Sequence, residues 1–421
     1  MQRRQLGGLA TLCAVAAIAT ISLPRASTGA PPADPSTDGG SLFAERFNSY
    51  RAGNYDPLTV PPDWFFPTEA IVGASRHPTP KPLAVSANTR IASTALRTAS
   101  AYAAQQDSTA LLIYHDGALA YEKYWGGNGR ESAFNPQSMS KTLLGMMIGI
   151  GIRDGHIASV DDRVDRYIDE WRGDERGAIT IRQLLQMSGG LGQISTSYDV
   201  TIDNPGVKQH FGDDFVAPIL GLPLTHRPGS HWEYNNNESN LLGVILERAS
   251  GRRYGEYLSA SLWRPLGLSD AALYMDSEGG RPMFSCCVLS RPLDWLKLGV
   301  LFLDGGMWEG KQLVPRAWID AMAAPAATNR GYGYQVWLGD YAVAATRPQP
   351  AYDNQPYASE SFADAKTVVF RGFGYQRVWI MPSKKLVIVR AGRTWPPDWD
   401  NAAIPNTIYR GIGDSPGSVG E

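Results

Sequence analysis

The chain has 421 residues, of which 43% are hydrophobic and 19% charged, and its formal net charge is −2. That length and composition suit a globular body large enough to enclose a cleft between two lobes. The near-neutral charge, without a Lys/Arg run, excludes a nucleic-acid partner of the usual electrostatic kind.

The N-terminus differs from the rest. Arg3 and Arg4 precede an apolar run from Leu6 to Pro24, and small residues follow. This pattern reads as an export signal over residues 1–30, giving a periplasmic or secreted location; a retained membrane anchor is the alternative. Residues 31–45 read as a flexible linker, and the Pro- and aromatic-rich stretch 46–85 as an irregular N-terminal arm. The main folded domain is expected over 86–415.

Within it, TRIASTALRTASAYAAQQ has helical spacing. Two β-rich runs flank Asp116-Gly117, a two-residue hairpin signal. SMSKTLLGMMIGIGIRDG is an all-round apolar helix that closes at Gly155. Helices and loops dominate 156–280, in TIRQLLQMSGG and SNLLGVILERASG. Another helix follows in RPLDWLKLGVLFLDGG, two strands surround Pro382-Ser383-Lys384, and NAAIPNTIYRGIG closes the chain as a short helix. Strands near both ends with a helical middle predict an α+β fold: an antiparallel sheet from the N- and C-terminal parts, flanked by helices, with a mainly helical lobe inserted. The chain has three cysteines. Of these, Cys286 and Cys287 are adjacent. They read as two small buried apolar residues, the alternative being a vicinal disulfide.

Ser138-Met139-Ser140-Lys141 carries the chemistry. A serine hydroxyl is a poor nucleophile until a base takes its proton. On a helix, residues i and i+3 share a face, so Lys141 reaches Ser138. An apolar helix buries the lysine stem and lowers its proton affinity. Tyr234-Asn235-Asn236 stands in a turn before a helix. There, Tyr234 would relay a proton and an Asn amide would orient lysine or substrate; the plain alternative is a helix-capping Asn turn. In Val368–Gln376, the glycines interrupt a strong strand, which marks close approach of another backbone or a bulge. A backbone N–H there, with that of Ser138, would form an oxyanion hole. No His-Glu-x-x-His or Gly-x-Ser-x-Gly occurs, so neither a zinc protease motif nor a nucleophile elbow competes. No cofactor or metal is implied.

Taken in order, Ser-x-x-Lys, Tyr-x-Asn and a Gly-bearing C-terminal strand resemble the serine β-lactamase and penicillin-binding superfamily, in its class C-like and esterase branch. The resemblance covers about residues 85 to 412 and is closest to 6-aminohexanoate-oligomer hydrolases and related carboxylesterases. It implies Ser138 as the acylated nucleophile, Lys141 as its paired lysine, Tyr234 as the catalytic tyrosine and Asn236 as the third position of that motif. It aligns Phe370-Arg371-Gly372 with the family's Lys-Thr-Gly, which makes Phe373 the second oxyanion donor and puts Phe370 where a lysine would face the cleft. The cationic anchor for a substrate carboxylate is then missing, unless Arg371 reaches it through a bulge. Tyr198 would gate the substrate. The expected activity is hydrolysis of a small ester or amide through an acyl-enzyme. The alternatives are a β-lactamase or D-Ala-D-Ala carboxypeptidase and, in another class, a catalytically silent penicillin-binding-like envelope module.

Overall fold

The computed structural model describes residues 39–413 except 55, 57, 59–63, 75–82, 86–89, 194–203 and 340–356. The expected signal at 1–30 and Tyr198 lie outside the described residues.

The strands are β1 Thr68–Ile71, β2 Ala84–Val85, β3 Ser108–His115, β4 Ala118–Tyr124, β5 Ala271–Tyr274, β6 Val288–Leu289, β7 Met307–Trp308, β8 Lys311–Gln312, β9 Trp337–Leu338, β10 Val368–Gly372, β11 Gln376–Met381 and β12 Leu386–Gly392. Seven of them form one sheet in the order β2-β4-β3-β12-β11-β10-β9. N- and C-terminal strands meet where β3 pairs antiparallel with β12, Ile113 opposite Ile388. Every pairing in this sheet is antiparallel except β2 with β4. The β3–β4 hairpin turns on Asp116 and Gly117, at φ +45° and +95°, the left-handed pair that the Asp-Gly signal predicts.

The helices are α1 Gly39–Arg51, α2 Ser93–Gln105, α3 Ser140–Arg153, α4 Ile181–Leu185, α5 Pro205–Phe211, α6 Ala217–Leu220, α7 Asn236–Ser250, α8 Tyr254–Leu258, α9 Pro292–Leu303, α10 Arg316–Met322 and α11 Ala403–Gly411. One sheet face, with Leu112, Phe370, Val378 and Val389, packs with residues of α3 and α9. The other, with Leu111, Ile113, Val369 and Trp379, packs with α2 and α11. Coverage on both faces explains why β3 reads as a continuous apolar run rather than an alternating one. From Ser140 to Gly151 every residue of α3 is buried, as its all-round apolar sequence requires. The helix leads into Gly155 at φ +78°. Between the sheet halves, α4 to α8 form the inserted lobe, and α7 packs on α3 and α4.

Three local expectations are corrected. First, α1 occupies Gly39–Arg51, where a linker to 45 and an irregular arm from 46 were expected. Phe43, Phe47 and Tyr50 recur at helical spacing. Phe47 is buried in an aromatic cluster with Phe65, Phe66 and Phe211, and Phe43 and Tyr50 pack against it. The buried Arg46 guanidinium ties the helix to the Gly212 and Asp276 carbonyls at 2.6 and 2.8 Å. β1 pairs with β5, so part of the arm is sheet. Second, Val368–Gln376 is not one strand. The chain reverses through Phe373–Tyr375, with Gly374 and Tyr375 at φ +66° and +56°, and returns as β11. Third, Cys286 and Cys287 are joined in a disulfide. Cys287 takes φ +79°, a left-handed backbone that independent apolar residues avoid.

Candidate active site

Ser138 sits in a short 3-10 turn, Gln137–Met139, that feeds directly into α3. Gln137 is at φ +54°, an uncommon conformation held by the Asn135 side chain, whose Oδ1 accepts from the Gln137 N–H at 3.0 Å. The turn presents Ser138 at the head of the buried helix. Lys141 Nζ lies 2.8 Å from Ser138 Oγ, so the i, i+3 pairing read from the sequence is made. The lysine is fully buried, and burial pushes its proton affinity below that of an ordinary lysine. The Tyr234 phenol opposes this through its charge and a hydrogen bond.

Two segments close over the lysine. Ser285 offers its carbonyl to Lys141 Nζ at 2.9 Å. That residue is itself held by Asn240 of α7, whose Oδ1 accepts from the Ser285 N–H at 2.9 Å. Val288, three residues on, donates its N–H to Ser140 Oγ at 3.1 Å. The second segment carries Tyr234, whose ring centroid lies 5.1 Å from Lys141 Nζ and 5.6 Å from the stacked Trp337 ring. Its backbone is stitched to the Ser188–Gln193 loop. Gln193 Nε2 donates to the Tyr234 carbonyl at 2.9 Å, and Asn235 Nδ2 to the Leu191 carbonyl at 2.9 Å. Glu238 Oε2 accepts from the Gly189 N–H at 3.0 Å, and burial pushes its carboxyl up to about 8.

On the other side of Ser138, β10 ends against the serine turn. A Cβ on Gly372 would lie 2.1 Å from the Pro136 carbonyl oxygen, so only glycine permits this approach. The turn after it is held by buried cations. Arg377 Nη1 donates to the Gly372 and Gln376 carbonyls, each at 2.8 Å. Arg390 Nη1 donates to those of Gly374 and Tyr375, at 2.8 and 3.1 Å. Gln376 bonds both the N–H and the carbonyl of Gly392. In a trans peptide the N–H points opposite to its carbonyl, so fixing Gly372 O also fixes the direction of the Phe373 N–H.

The structure therefore brings together Ser138, Lys141, Tyr234 and, through its backbone, Gly372, with Phe373 as the next residue. It does not bring in Asn236, which opens α7 exposed to solvent. The neighbouring Asn235 is buried instead and caps the helix through the Asn237 N–H at 3.0 Å. Phe370 does not line the cleft either. It is fully buried, its ring 5.6 Å from that of Phe302 on α9. Side chains alternate along a strand, so Arg371 takes the opposite face, its guanidinium 3.8 Å from the Trp337 centroid. Sequence reasoning missed Asn240, Ser285, Trp337 and Arg377. Asn240 had a usable signal, since Asn237 and Asn240 lie one turn apart on a helix face that is otherwise apolar. Nothing local marks the other three.

A profile of the family described as Beta-lactamase matches residues 96–282. The 6-aminohexanoate-dimer hydrolase of Paenarthrobacter ureafaciens is 26% identical over 311 residues, 69% of this chain and 73% of that protein. Penicillin-binding protein 4* of Bacillus subtilis is 29% identical over 147 residues, only 34% of this chain and 31% of its own length. Among solved structures, a putative 6-aminohexanoate-dimer hydrolase from Bacillus anthracis superposes with TM-score 0.66 at 18% identity, over 83% of this chain and 91% of that one. With that fold, residues 96–282 are similar to the Beta-lactamase family, and the solved neighbours are β-lactamase-like and penicillin-binding-like folds. Relatives of that fold include proteins described as hydrolases. EstCE1, described as a hydrolase with promiscuous acyltransferase activity, shares that fold with TM-score 0.58 at 16% identity, over 76% of this chain and 98% of that one.

Proposed function

We propose that the protein is an exported serine hydrolase that cleaves a small ester or amide through an acyl-enzyme on Ser138. The contact that carries this reading is Lys141 Nζ on Ser138 Oγ at 2.8 Å, with the lysine fully buried. Burial favours the neutral amine, which takes the hydroxyl proton as Ser138 Oγ attacks the carbonyl carbon. The C=O electron pair moves onto oxygen, which rests on the N–H groups of Ser138 and Phe373. Collapse expels the leaving group, and the proton reaches it through Tyr234. Water then attacks the acyl carbon, gives its proton to the same amine, and releases the acid and Ser138.

The surroundings support a substrate with an apolar chain. Trp337 stacks on Tyr234, and Trp232 and Tyr332 lie within 5.8 Å of Trp337, centroid to centroid. For the cation that sequence reading finds missing we assign Arg371, whose guanidinium lies 3.8 Å from the Trp337 centroid. An amide or ester with an apolar acyl part and a distant carboxylate fits this pairing. That is the chemistry of a 6-aminohexanoate dimer, which the name of one relative carries.

Ser138→Ala tests the reading. It should abolish turnover of a short p-nitrophenyl ester and labelling by a fluorophosphonate, with the folded state retained. Undiminished labelling removes Ser138 from the mechanism. A panel adding aminohexanoate dimer and nitrocefin ranks the substrates, and faster cleavage of nitrocefin overturns the assignment away from β-lactams.

A further inference from the structure

We propose that Ser285–Val288, closed by the Cys286–Cys287 disulfide, is the positioning element that aims Lys141 at Ser138. The proposal rests on the acyl-enzyme reading above and adds to it a cause for the direction of the proton transfer.

A neutral lysine amine has two N–H bonds and one lone pair in tetrahedral array. A carbonyl oxygen can only accept. The 2.9 Å contact from Nζ to Ser285 O therefore consumes an N–H and cannot hold the lone pair. The 2.8 Å contact to Ser138 Oγ runs either way in principle. With one N–H tied to Ser285, the other N–H and the lone pair are left to be shared between the Tyr234 phenol and the serine hydroxyl, and the arrangement with the lone pair on Ser138 Oγ is the one a base needs.

The carbonyl works only if it stays in place, and the segment is pinned at both ends. Ser285 N–H is held by Asn240 Oδ1 on α7. Val288 N–H is held by Ser140 Oγ, the residue before Lys141 on α3. Between these anchors lies Cys287 in the left-handed region, at φ +79°. A non-glycine residue reverts readily from there to extended backbone, and doing so would swing the Ser285 carbonyl away. The disulfide closes a small ring across that residue and blocks the change. Cys287 is also buried in the cluster that contains Phe211 and Met283, and Cys286 Sγ lies 3.7 Å from Met283 Sδ.

The charge environment is simple. Tyr234 is the titratable group that acts on Lys141. The oxidised sulfurs carry no proton, and Ser138, Ser140, Ser285 and Asn240 do not titrate near neutrality. Loosening the segment admits water and raises the lysine toward its ordinary proton affinity. The rise of kcat/KM with pH should then move to higher pH.

The test compares oxidised protein, protein reduced with a phosphine, and Cys286→Ser/Cys287→Ser. Reduction breaks the S–S bond with two electrons from the phosphine, which becomes its oxide with the oxygen of one water. The two protons of that water end on the thiols, seen as two added hydrogens by mass spectrometry. The serine pair separates loss of the ring from thiol ionisation, which falls near pH 8.5. For a p-nitrophenyl ester, kcat should drop about tenfold to a hundredfold, as for other small misplacements of a catalytic group. KM should stay within about twofold, and the pH rise should shift upward. Reoxidation with diamide should restore the reduced protein and leave the serine pair unchanged. Asn240→Leu, which removes the Ser285 anchor and leaves both cysteines in place, should shift the pH rise in the same direction. Reduced protein and Asn240→Leu with the kcat and pH profile of the oxidised form overturn the proposal, even if the serine pair fails to fold. Absence of fluorophosphonate label on Ser138 in the oxidised protein overturns the reading beneath it as well; a labelled Ser138 with turnover indifferent to reduction overturns this proposal alone.

Discussion

On one side of Ser138 its neighbours act mainly through side chains, joined by the Ser285 carbonyl, and what they set is charge. Lys141, Tyr234 and Asn240 come from α3, from the turn before α7 and from α7 itself, and each can be altered alone. On the other side the neighbours are backbone groups, and what they set is direction. Gly372 abuts the Pro136 carbonyl, while Arg377 and Arg390 grip four successive-region carbonyls of the β10–β11 turn. The proton-handling side should therefore fail by changing the pH dependence. The oxyanion side should fail by lowering the rate at every pH.

The largest expected effect is on the proton-handling side. Lys141→Met should lower kcat by about 10³-fold or more and remove the alkaline rise from the pH profile. In the unaltered protein, burial lowers the lysine's proton affinity, so the neutral base should appear below the pH where a free lysine loses its proton. Stopped-flow acylation measured across pH checks both points. A retained rise in Lys141→Met would assign the base elsewhere.

Gly372→Ala breaks the other side. Its new Cβ would meet the Pro136 carbonyl oxygen at 2.1 Å, and backbone must shift. Losing one oxyanion donor costs about 10²-fold in kcat, and overpacking costs about 1–3 kcal/mol of stability. The midpoint of the pH profile should not move. If it does, the two sides of Ser138 are not separable in the way the geometry implies.

The smallest effect concerns Glu238, which supports the loop behind Tyr234. Burial raises its carboxyl to about 8 from an ordinary value of 4.5. Between those values the folded protein holds a proton that the unfolded chain has released. Stability is then fully present below about pH 4.5 and declines as pH rises toward about 8. Glu238→Gln keeps an acceptor for the Gly189 N–H and removes the titration. Thermal unfolding followed across this range should show a flatter dependence in the variant, with kcat little altered.

The same division governed what could be read beforehand. The meeting of Ser138, Lys141 and Tyr234 was legible because each offers a particular functional group, and α3 announces itself by its unbroken apolar run. The sheet built from both ends followed from strands that signal themselves by composition. Gly372 was legible as a close approach, but the turn at Phe373–Tyr375 was not, because a left-handed Tyr375 has no sequence signature. Asn236 was misplaced for a related reason: in a run of three asparagines, one residue of register decides which amide is buried. Ser285 serves through a main-chain oxygen, which every residue type provides.

One consequence concerns where this protein can be cut. The family match begins at residue 96, which invites a shortened chain starting there. Such a chain would lack α1 and β1, leave Phe211, Tyr274 and Met283 with an open apolar side, and leave β5 with a free edge. Exposed aromatic surface beside an unpaired strand is a recipe for self-association. Cys287 belongs to that same cluster, so the loss would also reach the segment touching Lys141. Boundaries for expression, fusion or grafting belong upstream of Gly39.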